Sequence, residues 1–138
     1  MNGYLMQEKD IVRGVESFIE SVSPENRNAV VFEDDGETAY FYAMEMDETG
    51  GGMKILDALH IYEVGEDEDV SRRGEKSKVQ IVWSRDWKKC ALILDGYCQA
   101  IFDFESQGGY SINEFPPPNE IWTKGDRKLT NELIQRLF

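Results

Sequence analysis

The sequence predicts an α+β fold, an antiparallel β-sheet of about five to seven strands with a C-terminal helix packed on one face. Two Asp-Gly dipeptides, at 35–36 and 95–96, each separate two runs of β-branched and aromatic residues, which is the strongest short-range signal for a β-hairpin. Apolar residues near residue 130 recur at helical spacing. The 138 residues suit one core, so we expect a single domain over residues 1–138.

The first hairpin is predicted from the runs 29–32 and 38–46. If its turn contains two residues, Phe32 opposes Ala39 and Val30 opposes Phe41. Successive side chains of a strand point to opposite faces, so the hairpin residues divide into two sets. The core face is expected to carry Val30, Phe32, Ala39, Phe41 and Ala43, and the other face Val31, Glu33, Thr38, Tyr40 and Tyr42.

The second hairpin is predicted from the runs 90–94 and 97–104. A two-residue turn makes Ile93 oppose Cys98 and Ala91 oppose Ala100. One face then carries Ala91, Ile93, Cys98, Ala100 and Phe102, and the other Leu92, Leu94, Tyr97 and Ile101. Since both faces are apolar, we expect this hairpin to lie centrally and to be covered on both sides. Cys90 and Cys98 fall on opposite faces, so we expect two free thiols rather than a disulfide.

Residues 11–22 admit two interpretations. Apolar side chains at helical spacing favour a helix, which is the interpretation we prefer. Gly14 and the β-branched residues favour an edge strand over residues 15–21 instead. The sequence leaves the choice between helix and strand open.

Other elements follow from local signals. Strands are expected over 53–64, 79–83 and 110–112, and the charged stretch 65–78 is expected to be an exposed loop. Phe115 and the three prolines after it are expected to be extended and to close the sheet edge, because proline lacks the N–H that strand pairing needs. Asp126 is expected to cap the final helix, whose packed stripe would be Leu129, Leu133, Ile134 and Leu137.

The charge balance limits the possible partners. Lys and Arg number 15 against 27 Asp and Glu, which gives a net charge of −12. A negative protein repels phosphate backbones and anionic lipid headgroups, so neither nucleic acid nor a membrane is expected as a partner. The sequence has no secretory signal and no apolar stretch long enough for a membrane span, which predicts a cytoplasmic protein. A basic protein is the expected partner, and the oligomeric state stays open.

The sequence lacks the common catalytic and metal-binding motifs, namely the Walker lysine loop, GxGxxG, HExxH and CxxC. We therefore expect no cofactor and no metal. Glu33 is the candidate site residue of the first hairpin, because it leaves the turn and shares a face with Tyr40 and Tyr42. The one histidine, His60, lies mid-strand on the face opposite Leu59, where a structural or exposed role is more common than a catalytic one.

Three segments carry a resemblance to a known family. They are residues 32–43 (FEDDGETAYFYA), residues 87–104 (WKKCALILDGYCQAIFDF) and residues 113–118 together with Trp122. In these segments the chain resembles a family of small uncharacterised bacterial proteins, classed as a domain of unknown function. The resemblance implies a bacterial, cytoplasmic origin and supplies no catalytic residue.

Two hypotheses of different classes remain for the function. The first is a non-enzymatic protein-binding module, such as an immunity or antitoxin-like protein, whose acidic surface neutralises a basic partner. The alternative is a small enzyme or ligand-binding domain with a site formed by Glu33, Tyr40, Tyr42 and His60. A deep pocket that brings these four groups together would favour the alternative, and a flat acidic face would favour the first.

Overall fold

In the computed structural model, residues 1–49, 51–64, 74–118, 122 and 125–138 are described. Within these ranges the chain forms nine strands and one helix. In chain order they are β1 (Tyr4–Val12), β2 (Ser17–Val22), β3 (Asn28–Asp34), β4 (Thr38–Met46), β5 (Met53–Glu63), β6 (Lys76–Trp83), β7 (Lys89–Leu94), β8 (Tyr97–Asp103), β9 (Gly108–Ser111) and α1 (Asn131–Leu137).

The strands form two antiparallel sheets, one with the order β1-β6-β7-β8-β9 and one with the order β2-β3-β4-β5. The expected single sheet is therefore wrong: the fold is a mostly β sandwich, and the antiparallel character is confirmed. Alternating apolar residues in both hairpins supply two core-facing surfaces, and these bury each other. The helix was expected to pack on a sheet, but it has seven residues and none of them is buried.

The core lies between the two sheets. Phe41 of β4 stacks on Phe102 of β8 with ring centroids 5.0 Å apart. The indole N–H of Trp83 donates to Ser21 Oγ at 2.9 Å, so the buried polar atom of the largest core side chain has a partner. Aromatic stacking and this hydrogen bond connect the five-stranded sheet to the four-stranded sheet.

The first hairpin has the expected faces but a register displaced by two residues. Phe32 opposes Phe41 and Val30 opposes Ala43. The Asp35 N–H donates to Thr38 O at 3.1 Å, so the two-residue turn is Gly36-Glu37 rather than Asp35-Gly36. A displacement by two keeps every side chain on its face, and the five predicted core residues are fully buried.

The second hairpin has the expected turn but different faces. Ile93 opposes Cys98 as predicted, and a bulge then makes Leu92 oppose Ala100. The extra residue reverses the facing of one strand relative to the other. Cys90, Leu92 and Leu94 therefore join Ala100 and Phe102 in the core, so the predicted grouping of Ala91 and Ile93 with Ala100 is wrong. Burial on both sides is confirmed, because Ala91 and Ile101 are also fully buried.

Residues 11–22 are not a helix. They contain the end of β1, a turn and the whole of β2. Gly14 has φ +87, a left-handed conformation that glycine adopts without steric cost, and this residue reverses the chain between the two strands. The helical spacing did not mark one buried stripe, because Ile11 and Ile19 are buried whereas Val15, Phe18 and Val22 are exposed.

The strand over 53–64 and the short strand near residue 110 are confirmed as β5 and β9. Of the predicted loop 65–78, residues 65–73 lie outside the described residues. The loop was predicted to extend to residue 78, but β6 begins at Lys76. Pairing with β1 explains the difference, because Lys76 and Lys78 face solvent on a strand whose backbone is bonded to its neighbour.

The C-terminal helix begins later than predicted. Its N-cap is Thr130, whose hydroxyl accepts from Leu133 N, whereas Asp126 accepts from Lys128 N and caps no helix. Leu129 therefore precedes the helix. Before it, Ser111 and Lys128 form a parallel bridge, so the C-terminal segment runs beside β9.

Candidate binding face on the four-stranded sheet

The outer face of the four-stranded sheet, the one turned away from the core, brings the predicted site residues together. Glu33 opposes Tyr40 across β3 and β4, and Tyr40 opposes His60 across β4 and β5. On β2, Phe18 opposes Glu33. Beyond β5, the backbone N–H of His60 donates to the carbonyl oxygen of Phe115 at 2.8 Å. We call this transverse line the aromatic row: Phe18, Glu33, Tyr40, His60 and Phe115.

Ring contacts fix the middle of the aromatic row. Tyr40 and Tyr42, two residues apart on β4, stack with centroids 5.9 Å apart. His60 meets Tyr40 edge-on at 5.4 Å and Phe115 edge-on at 6.0 Å. Offset and edge-to-face contacts of this kind are the preferred aromatic geometries. The Phe115 carbonyl thus lies at the β5 edge of the sheet, and closure of that edge by the prolines stays a prediction.

His60 is held in one tautomer. Asn113 Oδ1 accepts from Phe115 N at 3.2 Å, so the Asn113 amide nitrogen faces His60 Nδ1, at 2.7 Å. Because the amide nitrogen only donates, Nδ1 accepts, and neutral His60 carries its proton on Nε2. Nε2 is buried, lies 3.5 Å from Glu63 Oε1 and has no hydrogen bond to the described residues. His60 therefore positions the Asn113–Phe115 segment.

Next to the aromatic row, the outer face carries a methionine-rich cluster. Ala29, Val31 and Met44 are buried there, with Tyr42, Met46 and Met53 packed against them. An antiparallel sheet with one face on the core ordinarily turns polar side chains outward. Here Phe18 and Phe115 are 54% and 49% exposed at the two ends of the aromatic row. The face is thus more apolar than solvent contact alone explains.

Acidic groups surround one end of the aromatic row. A recess of about 300 Å³ is lined by Glu16, Ser17, Phe18, Glu33, Asp34 and Asp35. Burial raises the pKa of Tyr42, and the negative charges of Glu33 and Asp35 raise it further. Of the four predicted site residues only Glu33 lines this recess. The other three, Tyr40, Tyr42 and His60, are half-buried and do not line it.

Sequence reasoning missed Asp34, a carboxylate that organises the first turn. Asp34 is 1% exposed and accepts from Gly14 N at 2.9 Å, Gly36 N at 2.8 Å and the Tyr62 hydroxyl at 2.6 Å. Burial and this hydrogen bond raise the pKa of Tyr62. Asp34 follows Val30 and Phe32 at every second position of β3 and therefore faces the core. A charged residue at a core-facing position of a predicted strand is the sequence signal that could have identified it.

A buried ion pair between Arg127 and Asp57 was also missed. Arg127 Nη1 and Nη2 each lie 2.8 Å from one oxygen of Asp57, and the two residues are 2% and 4% exposed. Gly109 has no room for a side chain, since a Cβ there would lie 2.7 Å from Asp57 Oδ2. In the sequence, Asp57 lies between Ile55 and Leu59 in a run where every second residue is apolar. A charged residue in such a run could have identified Asp57 as a buried charge that needs a partner.

Two tests for other kinds of site gave a negative result within the described residues. No group of three or more His, Cys, Asp or Glu side chains there could hold a metal ion. In the same part of the chain, no helix is long and apolar enough to cross a membrane.

The fold and this surface define a class of protein, a small and almost entirely antiparallel β-sandwich with an aromatic outer sheet face. The chain belongs to the family described as uncharacterized protein conserved in bacteria (DUF2251), whose profile matches residues 11–138. This confirms the resemblance seen in the sequence.

A relative from Haemophilus influenzae described as an uncharacterized protein is 39% identical over 110 residues. The match covers 78% of this chain and 64% of the relative, so the chain spans less than two thirds of the relative's length. No solved structure matches the chain significantly.

Proposed function

We propose that this protein is a non-enzymatic protein-binding module of the immunity or antitoxin-like kind, and that the outer face of its four-stranded sheet binds a basic protein. The observation that carries the proposal is the aromatic row, which crosses the whole sheet and ends in two half-exposed phenylalanines. Aromatic side chains are enriched at protein interfaces, and methionine adapts its shape to a partner. We place the interaction in the cytoplasm.

Burial of the exposed rings would supply binding energy. Full burial of a phenylalanine side chain contributes roughly 1.5–3 kcal/mol relative to full exposure. Because Phe18 and Phe115 are about half exposed, covering each would contribute about 1 kcal/mol. The stacked tyrosines are already ordered, so little side-chain entropy is lost on binding.

The charge of the protein selects the partner. The net charge of −12 and the carboxylates of Glu16, Glu33 and Asp35 at one end of the aromatic row attract a cationic surface. Contacts of this kind accelerate association and weaken as salt screens them. An uncharged or acidic partner would gain nothing from this field.

Affinity capture with purified wild type and two variants tests the proposal. Tyr40→Ser removes the middle of the aromatic row, and Tyr97→Ser removes a 74% exposed tyrosine of β8 in the other sheet. We expect wild type and Tyr97→Ser to retain the same basic protein, Tyr40→Ser to lose it, and about 0.5 M salt to release it. Retention by Tyr40→Ser or insensitivity to salt would contradict the proposal.

A small-ligand or catalytic site is the second candidate, because Glu33, Tyr40, Tyr42 and His60 are neighbours on one surface. The buried Nε2 of His60 supports it, as a donor without a hydrogen bond to the described residues. If the surface is such a site, Glu33→Gln abolishes ligand binding or activity and leaves the thermal midpoint nearly unchanged. A large loss of stability would instead assign a structural role to Glu33.

A further inference from the structure

The recess at the Phe18 end of the aromatic row has an unbalanced charge. Four of its six lining residues are acidic and none is basic. The Asp34 carboxylate is already occupied by three internal donors. Glu33 forms no ion pair with any basic side chain that the structure describes. A cation entering the recess would therefore meet Glu33 as an available carboxylate.

Glu33 has an aromatic residue directly opposite it on each neighbouring strand. Phe18 lies on β2 and Tyr40 on β4. Adjacent strands are about 4.8 Å apart, so both aromatic residues are within reach of a group bound to the carboxylate. Tyr40 is held by its contacts to Tyr42 and His60, whereas Phe18 is exposed and can adjust to a ligand.

The interior of the protein already contains a similar arrangement. The guanidinium carbon of Arg13 lies 4.8 Å from the centre of the Tyr62 ring, and the hydroxyl of that ring donates to Asp34. Here a guanidinium, an aromatic ring and a carboxylate are grouped at distances typical of cation–π contacts. The recess offers a ring and a carboxylate but lacks the cation.

Resting on the proposed function, we propose that this recess is a subsite for an arginine side chain of the basic partner. The guanidinium donates two N–H groups to Glu33 and lies against the ring of Phe18, with Tyr40 on the far side of the carboxylate. Arginine fits better than lysine, because its planar fork matches a carboxylate in a bidentate way and also stacks on aromatic rings. Glu16 and Asp35 add negative charge around it.

Titration of the full chain with small probes, followed by amide NMR, tests the subsite. The probes are Nα-acetylarginine amide, Nα-acetyllysine amide and the neutral isostere Nα-acetylcitrulline amide. We expect the arginine probe to shift the amide signals of Phe18, Glu33 and Tyr40, with a dissociation constant in the millimolar range. The lysine probe should bind several-fold more weakly, and citrulline should leave these signals unchanged. Equal responses to all three probes would overturn the assignment.

Two variants with the same change of charge separate a specific contact from general attraction. Glu33→Gln should weaken the arginine probe about tenfold. Glu45→Gln, an exposed change on β4 outside the recess, should alter its affinity less than twofold. Matching thermal midpoints would show that both variants fold. Equal losses in the two variants would overturn the subsite.

The subsite and the proposed function can fail separately. If the arginine probe does not bind, but Tyr40→Ser still loses a salt-sensitive basic partner, the subsite is wrong and the proposed function stands. If the probe binds as expected while Tyr40→Ser retains every partner, the proposed function is wrong and the recess is an arginine site of another role.

Discussion

The two hairpins carry the same Asp-Gly dipeptide but form different turns. In the second hairpin, Asp95 and Gly96 both have positive φ, +51 and +84, and occupy the two central positions of the turn. This is the geometry for which Asp-Gly is favoured. In the first, only Gly36 has positive φ, at +99, and the turn has moved one residue along to Gly36-Glu37.

Side-chain hydrogen bonds explain the difference. Asp35 Oδ1 accepts from both Glu37 N and Thr38 N. Asp35 therefore stabilises the turn with its side chain, although it is not one of the two central turn residues. Asp95 Oδ1 accepts instead from Lys78 N on the neighbouring strand. A carboxylate that bonds within its own loop competes with the backbone for the turn position. The Asp-Gly dipeptide alone therefore does not specify the strand register. The register also depends on which N–H groups the aspartate carboxylate accepts from.

Removing the carboxylate of Asp34 in the first hairpin should destabilise the protein more than removing that of Asp95 in the second. Asp34→Ala leaves two backbone N–H groups and the Tyr62 hydroxyl without their buried acceptor, so the free energy of unfolding should fall by about 3 kcal/mol or more. Asp95→Ala, at an exposed position, should cost about 1 kcal/mol. Urea denaturation measures both. Equal losses would show that Asp34 does not organise the first turn.

Replacing each turn aspartate by asparagine should have a smaller, unequal effect. Asp35→Asn weakens two charge-assisted hydrogen bonds and should cost roughly 1 kcal/mol. Asp95→Asn keeps an acceptor and a residue that tolerates positive φ, so it should cost less than about 0.5 kcal/mol. Thermal unfolding of the two variants at neutral pH gives the comparison. The reverse order would mean that the strained φ of Asp95 decides its stability.

Acid should loosen the first turn by a smaller amount still. Hydrogen bonds from Thr38 N and Glu37 N lower the pKa of Asp35. A lowered pKa stabilises the fold above the unfolded value of 3.8, and this contribution is lost as pH falls through the folded value. The Glu37 and Thr38 amide proton shifts, followed from about pH 5 to pH 2, should titrate in wild type. In Asp35→Asn this titration should be absent.

The two cysteines of the second hairpin should show no disulfide. Cys90 opposes Phe102 and Cys98 opposes Ile93, and both thiols are free. Burial raises the pKa of Cys98 to about 11, so its thiol should react slowly in the native protein at pH 8. Counting thiols in denaturant without reductant should give two per chain. A disulfide within the chain would require a different β7–β8 register.

Much of the sheet could be predicted from local patterns, because a register displaced by two residues leaves each side chain on the same face of its strand. Val30, Phe32 and Phe41 were placed in the core for this reason, although their partners were wrong. The bulge in β8 could not be predicted, since the turn dipeptide sets the pairing only next to the turn, where Ile93 opposes Cys98 as expected. Of the aromatic row, Glu33, Tyr40 and His60 were identified in the sequence. Phe18 was missed because its segment was interpreted as a helix. Phe115 was expected at a sheet edge, but its place beside His60 depends on tertiary contacts and was not predicted.

The ion pair between Asp57 and Arg127 has a consequence for synthesis on the ribosome. The two residues are 70 positions apart, and the carboxylate is buried on a central part of β5. Burial of Asp57 before Arg127 has left the exit tunnel forgoes this bidentate contact, which costs several kcal/mol. We therefore expect this end of the sandwich to dock late, once the C-terminal segment is available.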